Sequence, residues 1–238
     1  AWTQAIAVSV KEKFLDIKCR LAGLQPKATV LVLSTQALKL HGGVPYEETK
    51  KPDLDSMIKG IPNLDRHVEN LRSFGQSVVV SLNHYPFDSD NEIDYIRNWC
   101  KDRNVAFVVN YGFEKGGEGA SDLARAVVKV IEETPSSSIL FTYDDVDPLK
   151  VKIEKIAKKI YHAGQVVLGP KAETKLKKFE RMGWAKLPVC IAKTQYSFSD
   201  DPKLINAPKD FTLTIQDVVI NAGAGFIVAI AGEIMRMP

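Results

Sequence analysis

The 238-residue chain is 45% hydrophobic and 26% charged, an ordinary globular composition, and it is long enough to bury a core in one or two domains. Its 32 basic and 29 acidic side chains leave a formal net charge of +3, which excludes the concentrated positive field typical of nucleic-acid-binding proteins. No apolar run approaches the ~20 residues that a membrane-spanning helix needs.

The first half of the chain alternates between strand-like and helix-like segments. Nearly continuous apolar runs, typical of strands buried on both faces, occupy residues 28–35, 76–83 and 105–113. Helical periodicity fills the intervals, and helices are predicted at 54–75, 89–104 and 121–133. Such alternation predicts an α/β fold with a parallel sheet and helices on its faces, which we assign to residues 1–134.

The second half begins after residues 135–148, a stretch rich in Pro, Ser and Asp that we predict to be a linker. Two lysine-rich amphipathic segments follow, and their apolar stripes indicate helices with solvated outer faces. The tail alternates apolar residues over 187–193, 211–223 and 225–234, as strands do. Residues 149–238 are therefore predicted to form a smaller α+β domain with mixed strands.

Polar segments follow each of the three predicted parallel strands: Ser34–Gly43, Asn83–Asp90 and Asn110–Gly119. Ligands bind at the carboxyl ends of such strands, so we expect these segments to be loops that converge on one rim. They offer Lys39, His41, Asn83, Tyr85, Phe113, Lys115 and Glu118. The two aromatic rings could sandwich a planar heterocycle while lysine and backbone amides hold an anionic group. Equally, the rings could cap the core and the glycines could merely allow tight turns.

Other chemistry-bearing residues are scattered. The four histidines have no metal-ligand spacing, and no nucleophile-elbow motif is present, so no metal site and no serine-hydrolase site is predicted. Cys19, Cys100 and Cys190 form no disulfide framework, which indicates a reducing compartment, either the mitochondrial matrix side or the cytoplasm. Because the chain starts with Ala1 rather than Met, we expect it to be processed, trimmed or a piece of a longer chain.

Several stretches, among them "CIAKTQYSFSDDP", "AGAGFIV", "KGGEGASDLA" and "NLDRHVENLRSFG", resemble formate–tetrahydrofolate ligases, and the resemblance runs from about Glu12 to Pro238. That family makes 10-formyltetrahydrofolate from formate, ATP and tetrahydrofolate through formyl phosphate. The resemblance implies part of a P-loop NTPase-like nucleotide domain followed by a smaller domain, with the homotetramer common in the family. Tetrahydrofolate and ATP with Mg²⁺ would be substrates if the activity is retained.

The resemblance also assigns roles to residues at the rim. It implies that a pterin ring stacks between the aromatic of the Asn-His-aromatic segment and the aromatic before the Lys-Gly-Gly-Glu-Gly segment. The folate-binding set would be Tyr85, Phe113, Asn83, Lys115 and Glu118, and the remnant of the nucleotide side would be Gln36, Lys39 and His41.

Most departures from the family pattern affect residues that the resemblance assigns to ATP binding. The sequence contains no G-x-x-x-x-G-K-[ST] loop, on which phosphoryl transfer depends together with Mg²⁺. Residues 2–11 lack the family's glycine-rich segment with its Asp, Gln36 replaces the usual arginine, and Phe113 replaces the usual tryptophan. The chain also stops at Pro238, short of the family's C-terminal tail.

Three hypotheses follow. The losses favour a catalytically incomplete chain, a pseudoenzyme that serves as a structural or binding subunit of a larger assembly and meets a protein partner through residues 1–11. The second is an active ligase completed by an N-terminal half, and the third is a non-catalytic folate-binding module. An incomplete sheet predicts an exposed edge and apolar faces, which favours a protein partner. Whether the chain forms a homo-oligomer is left open.

Overall fold

The structure, a computed structural model, describes residues 12–232, so the predicted partner contact at residues 1–11 lies outside the described residues. The described chain forms two compact units. One contains residues 25–139, and the other joins residues 12–24 to residues 140–232. The sequence analysis placed residues 12–24 with the first half of the chain, but in the structure they pack within the second unit. The Thr142 N–H, for example, donates to the buried Asp16 carboxylate over 2.8 Å.

The first unit is built on a parallel sheet. Its strands are β1 (Thr29–Leu33), β2 (Val78–Asn83) and β3 (Ala106–Asn110), in the spatial order β1-β2-β3. Valine dominates these strands, because its branched side chain packs well on a pleated surface. The three predicted strands and the parallel α/β arrangement are confirmed.

Five helices connect and flank these strands: α1 (Thr35–His41), α2 (Leu54–Ser73), α3 (Asp90–Asp102), α4 (Gly112–Gly119) and α5 (Ser121–Glu133), with a short 3₁₀ turn at Tyr46–Glu48. Side-chain caps start three of them. The Ser34 hydroxyl accepts the Ala37 N–H, the Asp53 carboxylate accepts the Ser56 N–H, and Ser89 forms a capping box with Glu92.

Two of the segments expected to be loops are largely helical, which corrects the sequence analysis. In Ser34–Gly43 the cap at Ser34 is followed by a run without Gly or Pro that forms α1. In Asn110–Gly119 the backbone is helical on either side of Gly116, whose φ of 58° and ψ of −140° interrupt α4. Only glycine adopts such a backbone readily, so Gly116 interrupts the helix while the residues on either side of it stay helical.

The two faces of this sheet differ in how well they are covered. One face carries Leu31, Leu33, Val80 and Leu82, which are buried in a core with α2 and α3. On the other face α5 packs against β3 and β2, but none of its residues is fully buried. β1 has no second neighbour among the described strands, and its outward Val30 and Val32 are exposed.

The second unit is α+β with a mixed sheet, as predicted. Its elements are a π-helical turn Lys13–Cys19 continued by Arg20–Ala22, α6 (Leu149–Lys159), β4 (Gln165–Leu168), α7 (Pro170–Arg181), a 3₁₀ turn Trp184–Lys186, β5 (Val189–Ala192), β6 (Thr212–Asn221), a 3₁₀ turn Ala222–Ala224 and β7 (Phe226–Ala231). The strand order is β4-β6-β7-β5, with β6 and β7 antiparallel and the outer pairs parallel. The sequence analysis missed β4 because four residues carry too little periodicity.

The predicted linker, residues 135–148, contains no helix or strand but is fastened within each unit. In the first unit the Ser136 N–H donates to the Lys27 carbonyl over 2.8 Å. In the second unit the buried Tyr143 hydroxyl donates to the Val189 carbonyl over 3.0 Å and accepts the Val189 N–H over 2.9 Å. The domain boundaries themselves stay a prediction.

Within residues 12–232, no helix is long and apolar enough to cross a membrane. In the same range, no group of three or more His, Cys, Asp or Glu side chains is arranged to hold a metal ion.

Candidate functional site

The three polar segments meet at the carboxyl end of the parallel sheet, which we call the rim. Asn83 ends β2 and Asn110 ends β3, and the Asn110 side-chain amide donates to the Asn83 side-chain oxygen over 3.1 Å. The Asn110 side-chain oxygen accepts the N–H of Gly112, the first residue of α4, over 3.0 Å. Asn83 and Asn110 therefore form the polar floor between two strand ends.

Tyr85 and Phe113 are brought together above this floor. Their ring centroids lie 5.2 Å apart, and the ring planes are tilted by 52°. Tyr85 is half-buried and stacks on Phe87 with a centroid distance of 5.4 Å, whereas Phe113 is 74% exposed. Two rings that sandwich a planar ligand must be about 7 Å apart, since each contact needs about 3.5 Å. The Phe113 ring would therefore have to move outward by about 2 Å to admit one.

The backbone that carries Phe113 can allow such a movement. Phe113 lies in the first turn of α4, and the helix is interrupted at Gly116. A side chain at Gly116 would meet no neighbouring atom within 4 Å, so the segment is not packed from outside. The Tyr111 N–H donates to the Gly119 carbonyl over 3.1 Å and fixes the two ends of the segment.

Lys115 and Glu118 are both exposed on this helix. The Lys115 amino group lies 5.0 Å from the centroid of the Tyr111 ring, and that ring packs against His84 with a centroid distance of 4.6 Å. A cation beside aromatic rings can bind an anionic group of a ligand, and a carboxylate can accept hydrogen bonds from the N–H donors of that ligand.

Lys39, by contrast, points into the protein. Its amino group is fully buried, lies 3.1 Å from the Glu92 carboxylate and donates to the Lys51 carbonyl over 2.9 Å. Burial acts to raise the pKa of Glu92, but the N–H groups of Asp53 and Ser89 and the Lys39 ammonium outweigh it and lower that pKa. A phosphate could reach Lys39 only if this buried ion pair were broken.

The other two residues predicted for the nucleotide side are buried or half-buried. Gln36 is buried, and its amide donates to the Thr49 hydroxyl over 3.4 Å. His41 is half-buried, and burial lowers its pKa to about 4, so the ring is neutral at physiological pH. These side chains as placed offer no charge to ATP or Mg²⁺, and their assignment to the nucleotide side stays a prediction.

The sequence analysis named neither Thr35 nor Asp88, which are joined by a hydrogen bond between the segments that follow β1 and β2. The Thr35 hydroxyl donates to one oxygen of the Asp88 carboxylate. The other oxygen accepts the Tyr85 N–H over 2.9 Å, and the Asp88 N–H donates to the Tyr85 carbonyl over 2.9 Å. An Asp three residues after Tyr85 is a turn signal visible in the sequence, but its contact with Thr35 is not.

Comparison with known proteins places the sequence in one family. A family model described as formate–tetrahydrofolate ligase matches residues 7–238. The chain is 52% identical over 227 residues to the formate–tetrahydrofolate ligase of Phocaeicola vulgatus and 51% identical over 227 residues to that of Petrotoga mobilis. Each alignment covers 95% of this chain but only 41% of the relative, so the chain spans less than half the length of the relatives it matches. The chain belongs to the formate–tetrahydrofolate ligase family.

Proposed function

We propose that this chain carries the folate-binding side of a formate–tetrahydrofolate ligase and that its 238 residues alone do not complete the reaction. The observation that carries the proposal is the pair of rings of Tyr85 and Phe113, which come from neighbouring strand ends and lie 5.2 Å apart with Phe113 exposed. Exposed aromatic rings at the carboxyl end of a parallel sheet suit a planar heterocycle.

Three groups around these rings would hold the rest of a folate. The Lys115 ammonium would attract the carboxylates of the glutamate portion, and the Glu118 carboxylate would accept N–H groups of the pterin. The amide of Asn83 lies at the floor between the strands, where it would meet the edge of the ring. Polar groups of this kind fix orientation, whereas the rings supply most of the buried area.

The ATP side would come from residues outside this chain. The sequence has no phosphate-binding loop, and Lys39 is held in the buried pair with Glu92. We propose that those residues also cover β1, because β1 has no second neighbour among the described strands and its Val30 and Val32 are 37% and 47% exposed on one face of the sheet. An assembly of this kind would be an active ligase, and without it the chain would remain a folate-binding subunit.

Calorimetric titration of the 238-residue chain with tetrahydrofolate tests the folate site. Tyr85→Ala and Phe113→Ala should each weaken binding by about 1–3 kcal/mol, by analogy with bases stacked on aromatic side chains. Tyr196→Ala, which removes an exposed ring in the second unit, is the control and should leave the affinity unchanged. No measurable binding, or equal affinities for all four proteins, would contradict the proposal.

Phe113→Trp refines the same test. The family resemblance implies a tryptophan at this position, and its larger ring with an N–H donor should tighten binding about threefold. The substitution would also place an indole within the proposed pair of rings, to which none of the three tryptophans of the chain, Trp2, Trp99 and Trp184, belongs. We expect tetrahydrofolate to change the emission of this variant but not that of a Tyr196→Trp control.

A turnover assay tests the second part of the proposal. The chain mixed with ATP, formate and tetrahydrofolate should release no ADP above background and form no 10-formyltetrahydrofolate. Turnover by the 238 residues alone would show that the ATP side is present. No turnover after addition of the N-terminal part of a relative would instead favour the non-catalytic folate-binding subunit.

The three cysteines support a further part of the proposal, a reducing compartment. Cys19, Cys100 and Cys190 are all free and buried. Burial raises the pKa of Cys100 and Cys190 to about 12, so both remain thiols. Buried thiols of this kind are typical of proteins from reducing compartments.

A further inference from the structure

The Asn83–Asp90 segment, which carries Tyr85, is tied to the end of β1 by a hydrogen bond between side chains. Thr35 is the first residue of α1 and lies two residues after the end of β1. It is fully buried, and its hydroxyl donates to Asp88. The second oxygen of the Asp88 carboxylate accepts the Tyr85 N–H over 2.9 Å, so the same side chain binds both Thr35 and the backbone of Tyr85. The backbone of Tyr85 is thereby coupled to a different strand end.

A second contact holds the same segment from its other side. The Glu92 side chain accepts the Ser89 N–H over 3.1 Å and lies 3.1 Å from the buried Lys39 ammonium on α1. The segment is therefore fastened to α1 both through Asp88 and through Ser89. Because α1 follows β1 after a single residue, Ser34, the position of Tyr85 depends on the strand that carries no folate-contacting group in our proposal.

We propose that Thr35 and Asp88 are positioning residues that hold the Tyr85 ring in place for a planar ligand. The inference rests on the proposed folate site and adds a requirement to it. A ring that is already in place costs less conformational entropy on binding than one on a mobile segment. The exposed Phe113 would then be the moving partner and Tyr85 the fixed one.

Substitution of Thr35 by valine or by serine distinguishes the effect of the hydroxyl group from the effect of side-chain shape. Thr35→Val keeps the shape and removes the donor, so tetrahydrofolate affinity should fall about 3–10-fold, as expected for one hydrogen bond. Thr35→Ser keeps the donor and should stay within about twofold of the unaltered chain. Thr29→Val is the matched control, because it removes a hydroxyl that donates to the Gln76 side chain over 3.1 Å at the opposite end of β1.

Two further measurements distinguish positioning from a general loss of stability. In a Tyr85→Ala background, Thr35→Val should have no additional effect on affinity, because the ring that it positions is gone. Hydrogen exchange of the Tyr85 amide should be faster in Thr35→Val and in Asp88→Ala, but not in Thr29→Val, since that amide donates to Asp88.

The outcomes separate this inference from the proposed function. If Tyr85→Ala loses affinity while Thr35→Val binds like the unaltered chain, the folate site stands and the positioning role is overturned. If Thr35→Val lowers affinity equally with and without Tyr85, the hydroxyl acts by another route and the inference is also overturned. If the unaltered chain does not bind tetrahydrofolate, both proposals fail.

Discussion

The rim has two regions with similar residue types that differ in how far their side chains are buried. At the end of β1, Lys39 is fully buried against Glu92 and His41 is half-buried. At the ends of β2 and β3, Phe113 and Lys115 are exposed around a half-buried Tyr85. Both regions follow parallel strands, yet Phe113 and Lys115 are exposed whereas Lys39 is fully buried.

The difference comes from the local backbone. The segment after β1 forms a continuous helix whose side chains pack against α2, so its lysine becomes part of the packing. The segment after β3 is interrupted by Gly116 and is not fully buried at any residue. A polar residue at a strand end is therefore a candidate for ligand binding only when the following backbone leaves it uncovered.

The largest effect should come from removing the buried charge at the β1 end. Lys39→Met leaves the Glu92 carboxylate buried without its cation, which should lower the free energy of unfolding by about 3–5 kcal/mol, measured by urea denaturation. Lys39→Met combined with Glu92→Gln should recover part of the loss, because the unpaired charge is then gone.

Lys51→Met is the control for this prediction. Its ammonium pairs with Glu48 on the surface, where such a pair contributes only about 0–1 kcal/mol. If Lys39→Met were no more destabilising than Lys51→Met, the β1 end would resemble the exposed region and the comparison would be wrong.

His41 gives the same region a pH dependence. Its pKa is about 4 in the folded chain and 6.5 as the ordinary value, so the unfolded chain binds more protons between these two values. The contribution of neutral His41 to the free energy of unfolding is fully present above pH 6.5. As the pH falls toward 4, the free energy of unfolding should decrease by about 2–3 kcal/mol. The free energy of unfolding, plotted against pH, should rise more steeply between pH 4 and 6.5 for the unaltered chain than for His41→Gln. Parallel plots for the two proteins would contradict the burial of His41.

The smallest effect should arise in the exposed region, at two adjacent glycines. Gly116→Ala forces a side chain into a backbone with φ of 58° and ψ of −140°, at a cost of about 1–3 kcal/mol, although no atom lies near the added carbon. Gly117→Ala is the matched variant, and it should stabilise the helix by about 0.5–1 kcal/mol. Equal thermal stabilities of the two variants would show that α4 is not interrupted at Gly116.

Much of the architecture was predictable from residue patterns. Valine-rich runs predicted β1, β2 and β3, and the polar residues after them predicted the rim, because strand burial and strand direction follow from local periodicity. The pairing of Tyr85 with Phe113 was one of two open interpretations of the strand-end segments, and the family resemblance favoured it. The helix at Thr35–His41 was missed, since a polar stretch after a strand was interpreted as a loop although Ser34 is a good cap.

By itself the sequence determined the alternation of strands and helices, the absence of a phosphate-binding loop from these 238 residues, and which side chains stand at strand ends. Only the tertiary structure decided which of those side chains face solvent. Lys39 and Lys115 are the same residue type at equivalent places in the chain, but Lys39 meets Glu92 from a helix 53 residues further on and Lys115 meets no such partner among the described ion pairs. Contacts between residues far apart in sequence carry no local pattern, so burial, pairing and the Thr35–Asp88 bond appear only when the chain is folded.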